Sequence, residues 1–489
     1  MRESGILMHI SSLPGPYGIG SMGKNAYKFV DFLKKSGQKI WQILPLSPTG
    51  FGNSPYQSGS AFAGNHYLID LETLIDEGLL KKQEAESFFW GENAEKVDFG
   101  ALYESRKKVL RLAYNRFVPG EEYNEFIEKN KKWLFEYALF AAIKEEFGGK
   151  PWTEWPEELR LRDEKALSEK EEELSDEISF ICFLQFEFFS QWEKLRGYAN
   201  ENGIKIVGDI PIYVPLDSAD VWTEPGEFLL DENLNPKRVA GCPPDSFSAD
   251  GQLWGNPIYD WEKMKNSGFK WWKKRLGAAK HMYDIIRIDH FRGFESYWSI
   301  PAGDKTAMNG RWEKGPGMDF INAVKTIPEV DFIAEDLGYV TPEVRKLQED
   351  SGYPGMKVMQ FAFDSREAGN YLPHTYPENS VVYSGTHDNP TLVQWLSDVA
   401  ESDLMEGKAY LGLSEEEGFA EGLIRGSMAS ISRLCVIQMQ DWLGLGEEAR
   451  MNVPGILSDK NWSWRAKPGF DSEELGKHIF EITSRFGRI

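Results

Sequence analysis

Eight short apolar runs, most of them rich in Ile and Val and separated by stretches with helical spacing, constrain this chain more than any other feature. They occupy residues 5–9, 40–44, 204–209, 285–289, 332–335, 356–361, 380–384 and 434–438. Runs of this length suit strands buried on both faces, as in a parallel sheet. Between most pairs lies a helical pattern. Residues 26–36 carry apolar side chains at Phe29, Val30, Phe32 and Leu33, and Thr341-Pro-Glu-Val supplies a capping Thr with Pro at the first helical position. Eight alternating units predict an α/β fold, a (β/α)₈ barrel. Four runs end in or beside carboxylates, at Asp209, Asp289, Glu335-Asp336 and, just past the seventh run, His387-Asp388. The carboxyl rim is where barrel enzymes place their chemistry.

The chain has 489 residues, whereas a plain barrel takes about 250. The surplus falls mainly in two places. About 150 residues separate the second and third runs and about 75 the third and fourth, far beyond ordinary strand-to-helix loops. The expected organisation is one catalytic barrel over 1–489, with a largely helical insertion at 67–180 and a loop-rich insertion at 211–257. Residues 47–66 form a Gly/Ser/Asn/Tyr-rich loop. The charged stretch 157–177 reads as a solvated helical face, and 183–199 as the helix leading back to the third strand.

Charge narrows the partners. With 55 basic and 77 acidic residues the formal charge is −22, a field that repels phosphate backbones and anionic lipid. Neither nucleic acid nor a membrane is an expected partner, and a neutral substrate is compatible. No apolar stretch approaches the ~20 residues that span a bilayer. The amino terminus lacks the pattern of a signal peptide. Cys182, Cys242 and Cys435 match no metal spacing and no disulfide framework. A cytoplasmic location is expected.

Aromatic residues are abundant, at 17 Trp, 19 Tyr and 30 Phe, and core packing accounts for most. Phe51, Tyr56, Phe62, Tyr67, Phe247, Trp254 and Tyr259, however, fall in Gly/Pro/Asn-rich loops. Flat rings there suit the C–H faces of sugars, as well as bases or cations. Gly18-Ile-Gly20-Ser-Met-Gly23 matches a dinucleotide-binding fingerprint between strand and helix. Two prolines lengthen the preceding turn, and the second run ends in Leu44-Pro45-Leu46 without the acidic residue expected for a ribose. The glycines are instead expected to let the loop lie flat beside a bulky ligand.

Cleaving an acetal needs a proton for the departing oxygen and a negative group facing the sugar carbon. Arg287 and Asp289 share a strand face, and the guanidinium favours an ionised, fixed carboxylate, so Asp289 is the candidate nucleophile. Glu335, reached through apolar sequence, suits a raised pKa and an acid/base role. Asp336 points to the other face as a structural group. His387 beside Asp388 offers a donor and an acceptor for vicinal hydroxyls. Alternatives for single residues are a helix-capping Asp and a buried, satisfied His. A barrel metallohydrolase is the rival chemistry, but the chain has no paired His beside His9 and no H-E-x-x-H spacing.

The segments Arg287-Ile-Asp289-His290-Phe-Arg-Gly, Ala334-Glu335-Asp336-Leu-Gly and Thr386-His387-Asp388-Asn resemble the amylase superfamily of retaining α-glucosidic enzymes. Ser54-Pro-Tyr56-Gln-Ser, Gly208-Asp209-Ile-Pro-Ile-Tyr-Val, the stretch from Pro243 through Asp245, Gln252 and Trp254, and Asn452-Val-Pro-Gly455 with Asn461-Trp-Ser-Trp-Arg465 narrow it to glycoside hydrolase family 77, the amylomaltases. The resemblance implies a barrel without a carboxy-terminal β-sandwich and 4-α-glucan transfer between maltooligosaccharides or starch-like glucans. It makes Asp289 the nucleophile, Glu335 the acid/base and Asp388 the third acid. Asp209, Arg287 and His387 would line the donor site, and Ser54, Tyr56 and Trp254 would contact the glucan, Trp254 from the insertion over the acceptor cleft. No cofactor or metal is implied. Ile456, where Thr is common, and Cys242, where a small aliphatic residue is common, depart from the family pattern. An amylase-type hydrolase is the nearest alternative, and a non-catalytic glucan-binding protein the alternative from another class.

Overall fold

The computed structural model describes residues 2–50, 52–244, 248–365 and 371–489. Its strands, in chain order, are β1 (Glu3–Leu7), β2 (Ile40–Gln42), β3 (Lys205–Ile210), β4 (Arg238–Cys242), β5 (Gln252–Pro257), β6 (Ile285–Ile288), β7 (Ser296–Pro301), β8 (Arg311–Lys314), β9 (Asp331–Ala334), β10 (Gly355–Val358), β11 (Ser380–Tyr383) and β12 (Leu434–Gln438). Eight of these close a parallel barrel in the order β1-β12-β11-β10-β9-β6-β3-β2, and each grows from one of the apolar runs. The chain is therefore a (β/α)₈ barrel.

Period-two alternation sorts the strand residues between two cores. Leu7, Val207, Ile333, Met356, Val381, Tyr383, Leu434 and Val436 pack together inside the barrel. Ile6, Ile206, Ile286, Ile288, Val382, Cys435 and Ile437 join the larger core with the surrounding helices. The inward series continues upward past this apolar plug. Asp209 follows Val207 by two residues, Arg287 and Asp289 follow Ile285 by two and four, and Glu335 follows Ile333 by two. The same periodicity that fills the barrel therefore aims these polar groups at its mouth. Asp336 faces the other way, where its Oδ1 accepts from the Met356 N–H at 2.6 Å.

The segment between β2 and β3 is largely helical, ending in the long helices Glu121–Glu146 and Ser175–Glu201. The second of these fixes the loop after β2. Gln185 receives a bond from the Gly64 N–H at 2.8 Å and donates to the Gly64 carbonyl at 3.0 Å, while Gln191 accepts from the Asp70 N–H at 2.7 Å. The sequence did not predict the second sheet. Strands β4 and β5, from the excursion after β3, pair antiparallel with β7 and β8, from the excursion after β6, in the order β5-β4-β7-β8. Sequences such as Arg-Val-Ala-Gly-Cys and Arg-Trp-Glu-Lys, with charged residues, Gly and an exposed face, carry little strand signal. After β12 the described chain is helical or irregular.

The fingerprint glycines receive a different explanation from the one expected. They do not border the cleft described below. A Cβ on Gly20 would lie 1.9 Å from the Ile10 carbonyl oxygen, and one on Gly23 would lie 2.2 Å from the Asp70 carboxyl, so the loop is packed against its own chain. Phe62 and Tyr259 are likewise core residues, 8% and 0% exposed, and Tyr67 packs against the core beside His66. Phe51, Asp245 and Phe247 lie outside the described residues.

Candidate active site

A cleft of about 2150 Å³ opens over the carboxyl ends of the barrel strands, lined by Asp289, Glu335, His387 and Asp388 among others. That exceeds the ~300–1,000 Å³ usual for small-ligand pockets and suits a chain of several sugar units.

Arg287 organises the floor. Asp209 and Arg287 stand opposite each other across the β3–β6 pair. The guanidinium Nη1 reaches Asp209 Oδ2 at 2.6 Å and Asp289 Oδ1 at 3.0 Å, and its Nε meets the Met356 sulfur at 3.4 Å. Burial opposes its charge, but Asp209 and Asp289 together outweigh that and hold it firmly protonated. The Tyr56 hydroxyl donates to the same Asp209 oxygen at 2.8 Å. Asp209 thus differs from its expected place: its side chain is 0% exposed, and it stands behind Arg287 and Tyr56 rather than on the cleft surface.

The ends of β6 and β9 are tied together. Glu335 N donates to the Ile288 carbonyl at 3.1 Å, and Phe291 N donates to the Glu335 carbonyl at 3.0 Å. The Glu335 carboxyl accepts from the His290 N–H at 2.7 Å and the Leu337 N–H at 2.9 Å. His290, the residue after Asp289, adopts φ 50°, a conformation uncommon outside Gly and Asn, and so turns its N–H toward Glu335. Burial raises the proton affinity of both Asp289 and Glu335, and their proximity raises that of Asp289 further. The guanidinium at 3.0 Å and a side chain still 30% open to the cleft favour the ionised form at Asp289, while burial favours the protonated form at Glu335.

The opposite wall comes from the loops after β2, β11 and β12. The Tyr56 ring stacks on His387 with centroids 5.0 Å apart, and Trp462 packs against both. His387 Nε2 lies 3.4 Å from Asp388 Oδ1. Burial lowers the His387 pKa, so the imidazole is neutral at pH 7. Below it His9 is driven to about 3 by burial and by His387, and its Nδ1 accepts from the Leu44 N–H at 3.2 Å. Asn452 donates to Asp388 Oδ1 at 2.6 Å, and Arg450 donates to the Asp388 carbonyl at 2.7 Å. Asn452 belongs to a motif visible in the sequence, yet its bond to a residue 64 positions earlier was not legible there.

Ser54 and Tyr56 both border the cleft, and Ser54 Oγ accepts from the Tyr56 N–H at 3.2 Å. Trp254, on β5, lies edge-on to His290 with centroids 4.8 Å apart, and its indole donates to Gln252 Oε1 at 3.1 Å. The structure therefore gathers Asp289, Glu335, Asp388, Ser54, Tyr56, Trp254, Arg287 and His387 around one cleft, with Asp209 directly behind it. Among the described residues, no group of three or more His, Cys, Asp or Glu is arranged to hold a metal ion, and no helix is long and apolar enough to cross a membrane.

The chain is similar to known proteins over nearly its whole length. A family model described as 4-alpha-glucanotransferase matches residues 8–471. The chain is 49% identical over 486 residues to the 4-alpha-glucanotransferase of Clostridium butyricum, covering 98% of this chain and 100% of that one. It is 41% identical to the chloroplastic/amyloplastic 4-alpha-glucanotransferase of Solanum tuberosum, covering 100% and 87%. Among solved structures, the amylomaltase from Streptococcus agalactiae in complex with acarbose superposes with a TM-score of 0.96 at 41% identity, covering 100% of both chains. A barrel built from these strands, carrying this cleft and matching these relatives nearly end to end, places the chain in the 4-alpha-glucanotransferase family, glycoside hydrolase family 77.

Proposed function

We propose that this enzyme transfers α-1,4-linked glucan segments between maltooligosaccharides or starch-like glucans through a covalent glucosyl-enzyme, using Asp289, Glu335 and Asp388. The observation that carries the reading is the convergence of these three carboxyls, distant in sequence, on one cleft, with Arg287 bonded to Asp289 and the loop after Asp289 bonded to Glu335.

Asp289, held by Arg287, attacks the anomeric carbon while Glu335 gives its proton to the departing glycosidic oxygen, leaving a β-linked glucosyl ester on Asp289. Glu335, now a carboxylate favoured by the His290 and Leu337 N–H groups, takes the proton of the 4-hydroxyl of an incoming glucan. That oxygen attacks the ester carbon, restores the α-1,4 bond and releases Asp289. Asp388, fixed by Asn452, and neutral His387 beside it bind the hydroxyls of the donor sugar. Tyr56, with its hydroxyl committed to Asp209, offers its ring. Water and a sugar hydroxyl compete for the same ester, and the aromatic cleft walls favour the sugar.

The test is incubation with maltotriose. Glucose together with oligomers longer than the substrate is the expected product pattern; shortening alone would assign a hydrolase. Glu335→Gln should lower kcat by roughly 10²–10⁴-fold. A fluorinated glucosyl donor should label Asp289, and a label on any other residue would overturn the assignment.

A further inference from the structure

Apart from Trp254, the second sheet builds a wall that the reaction centre described above does not use. Across β5-β4-β7-β8 the register aligns Leu253, Gly241, Trp298 and Trp312 in one row. Leu253, Trp298 and Trp312 border the cleft, as does Tyr339 on the loop after Glu335. The Trp312 and Tyr339 rings lie nearly parallel, at 18° with centroids 6.4 Å apart, and are 37% and 69% exposed. Two large aromatic faces left open side by side forgo burial that packing elsewhere would supply, which marks a surface made to be covered.

Contacts within the protein hold the rings of this wall in place. The Arg292 guanidinium sits 3.8 Å from the Trp312 ring centre, donates to the Tyr339 carbonyl, and bonds Ser296 Oγ at 2.9 Å. Trp298 packs edge-on to Trp312 at 5.2 Å and donates its indole N–H to the Ala307 carbonyl at 2.8 Å. Arg292 is only 3% exposed, so the wall offers flat apolar rings rather than charge to its ligand. Sugar C–H faces match that surface, and the rings continue the same cleft that holds the three carboxyls.

We propose that Trp312 and Tyr339 form a remote acceptor subsite, beyond the sugar that meets Glu335, which selects long glucan acceptors. The inference rests on the transferase reading above. The side follows from topology. The Asp388 wall comes from the loops after β2, β11 and β12, whereas Tyr339 follows Glu335 by four residues and Trp312 lies on the excursion after β6. The rings therefore stand on the Glu335 side, where the leaving chain departs and the acceptor enters.

The experiment compares Trp312→Ala, Tyr339→Ala and the double variant with wild type, using starch as donor and either glucose or maltoheptaose as acceptor. KM for maltoheptaose should rise about tenfold, the order expected for truncating an aromatic anchor, while kcat and the glucose KM stay unchanged. Trp312→Phe and Tyr339→Phe should restore most of the preference. Equal losses on both acceptors, or unchanged use of maltoheptaose, would overturn the subsite. Quenching of tryptophan fluorescence by maltoheptaose, read on the same proteins, needs no turnover. If wild type transfers nothing yet binds maltoheptaose more weakly once the rings are removed, the transferase reading fails and the subsite stands. If the variants alter sedimentation but not glucan binding, the wall is a protein contact and the inference fails.

Discussion

At the scale of the residue, the site is governed by competition between burial and pairing. Arg287 is almost wholly buried and survives as a cation because two carboxylates reach it. Asp289 is one of these, and it also crowds Glu335. Both carboxyls bind protons more tightly in the folded protein than in the unfolded chain, so between about pH 4 and their folded pKa values the native state holds more protons and stability falls as pH rises. Asp289→Asn removes one carboxyl while Arg287 keeps its nearer partner, Asp209, at 2.6 Å. We expect that variant to be inactive yet more stable by about 0.5–2 kcal/mol at pH 7–8, the gain vanishing toward pH 4. Denaturant titrations across pH would read this, and a loss of stability at pH 8 would refute it.

At the scale of the element, the helix Ser175–Glu201 shows the same competition away from the chemistry. Glu187 is 4% exposed, and burial, aided by Glu77, raises its pKa to about 8. The unfolded chain releases this proton near pH 4.3, so Glu187 erodes stability as pH climbs from there to about 8. Glu187→Gln should flatten that slope and stabilise the protein at pH 8 by about 1–3 kcal/mol, measured as a shift in denaturation midpoint absent at pH 4. On the same helix Phe188 packs where a Cβ on Gly64 would approach within 2.0 Å. Gly64→Ala should therefore destabilise by about 1–3 kcal/mol and, by moving the loop that carries Ser54 and Tyr56, raise KM for maltotriose. Steady-state kinetics and melting of one preparation would check both effects.

Elements also show what a linear reading captures. The barrel strands were legible because each is a dense apolar run, and the helix Pro342–Ser351 because Thr341 and Pro342 announce it, the Thr341 side chain accepting from the Val344 N–H. Strands β4, β5, β7 and β8 were not, because short strands with one wet face need only partners, and those partners come from two separate excursions. The loop glycines at 18–23 misled for a related reason. Their spacing is shared by phosphate cradles and by any turn pressed against its own backbone, and only the neighbours Ile10 and Asp70 tell the two apart.

At the scale of the molecule, the two ends of the chain meet. Arg488 is fully buried and donates to the carbonyls of Met428 at 2.8 Å, Ser430 at 2.8 Å, Ser432 at 3.0 Å and Glu3 at 3.1 Å. Arg2 reaches the Ser430 carbonyl at 2.8 Å and the Phe486 carbonyl at 2.6 Å. These bonds lie where β1 and β12 close the barrel. Arg488→Ala would strand several buried acceptors and should cost about 3 kcal/mol or more. Glucan binding at low temperature should be retained, because the site lies at the other end of the strands. Calorimetry with a binding titration would test this, and an unchanged melting temperature would sink it.

The sequence by itself determined the barrel and its catalytic candidates. Apolar runs specify buried strands, and a period of two fixes which carboxylates rise above the plug. Tertiary structure alone decided that Asp209 stands behind Arg287 rather than facing the glucan, that Asn452 holds Asp388, and that a second sheet brings Trp298 and Trp312 to the cleft beside Tyr339. The reason is physical: strand burial and alternation are local properties carried by adjacent residues, whereas a side chain's partners depend on which distant segments the closed barrel brings together.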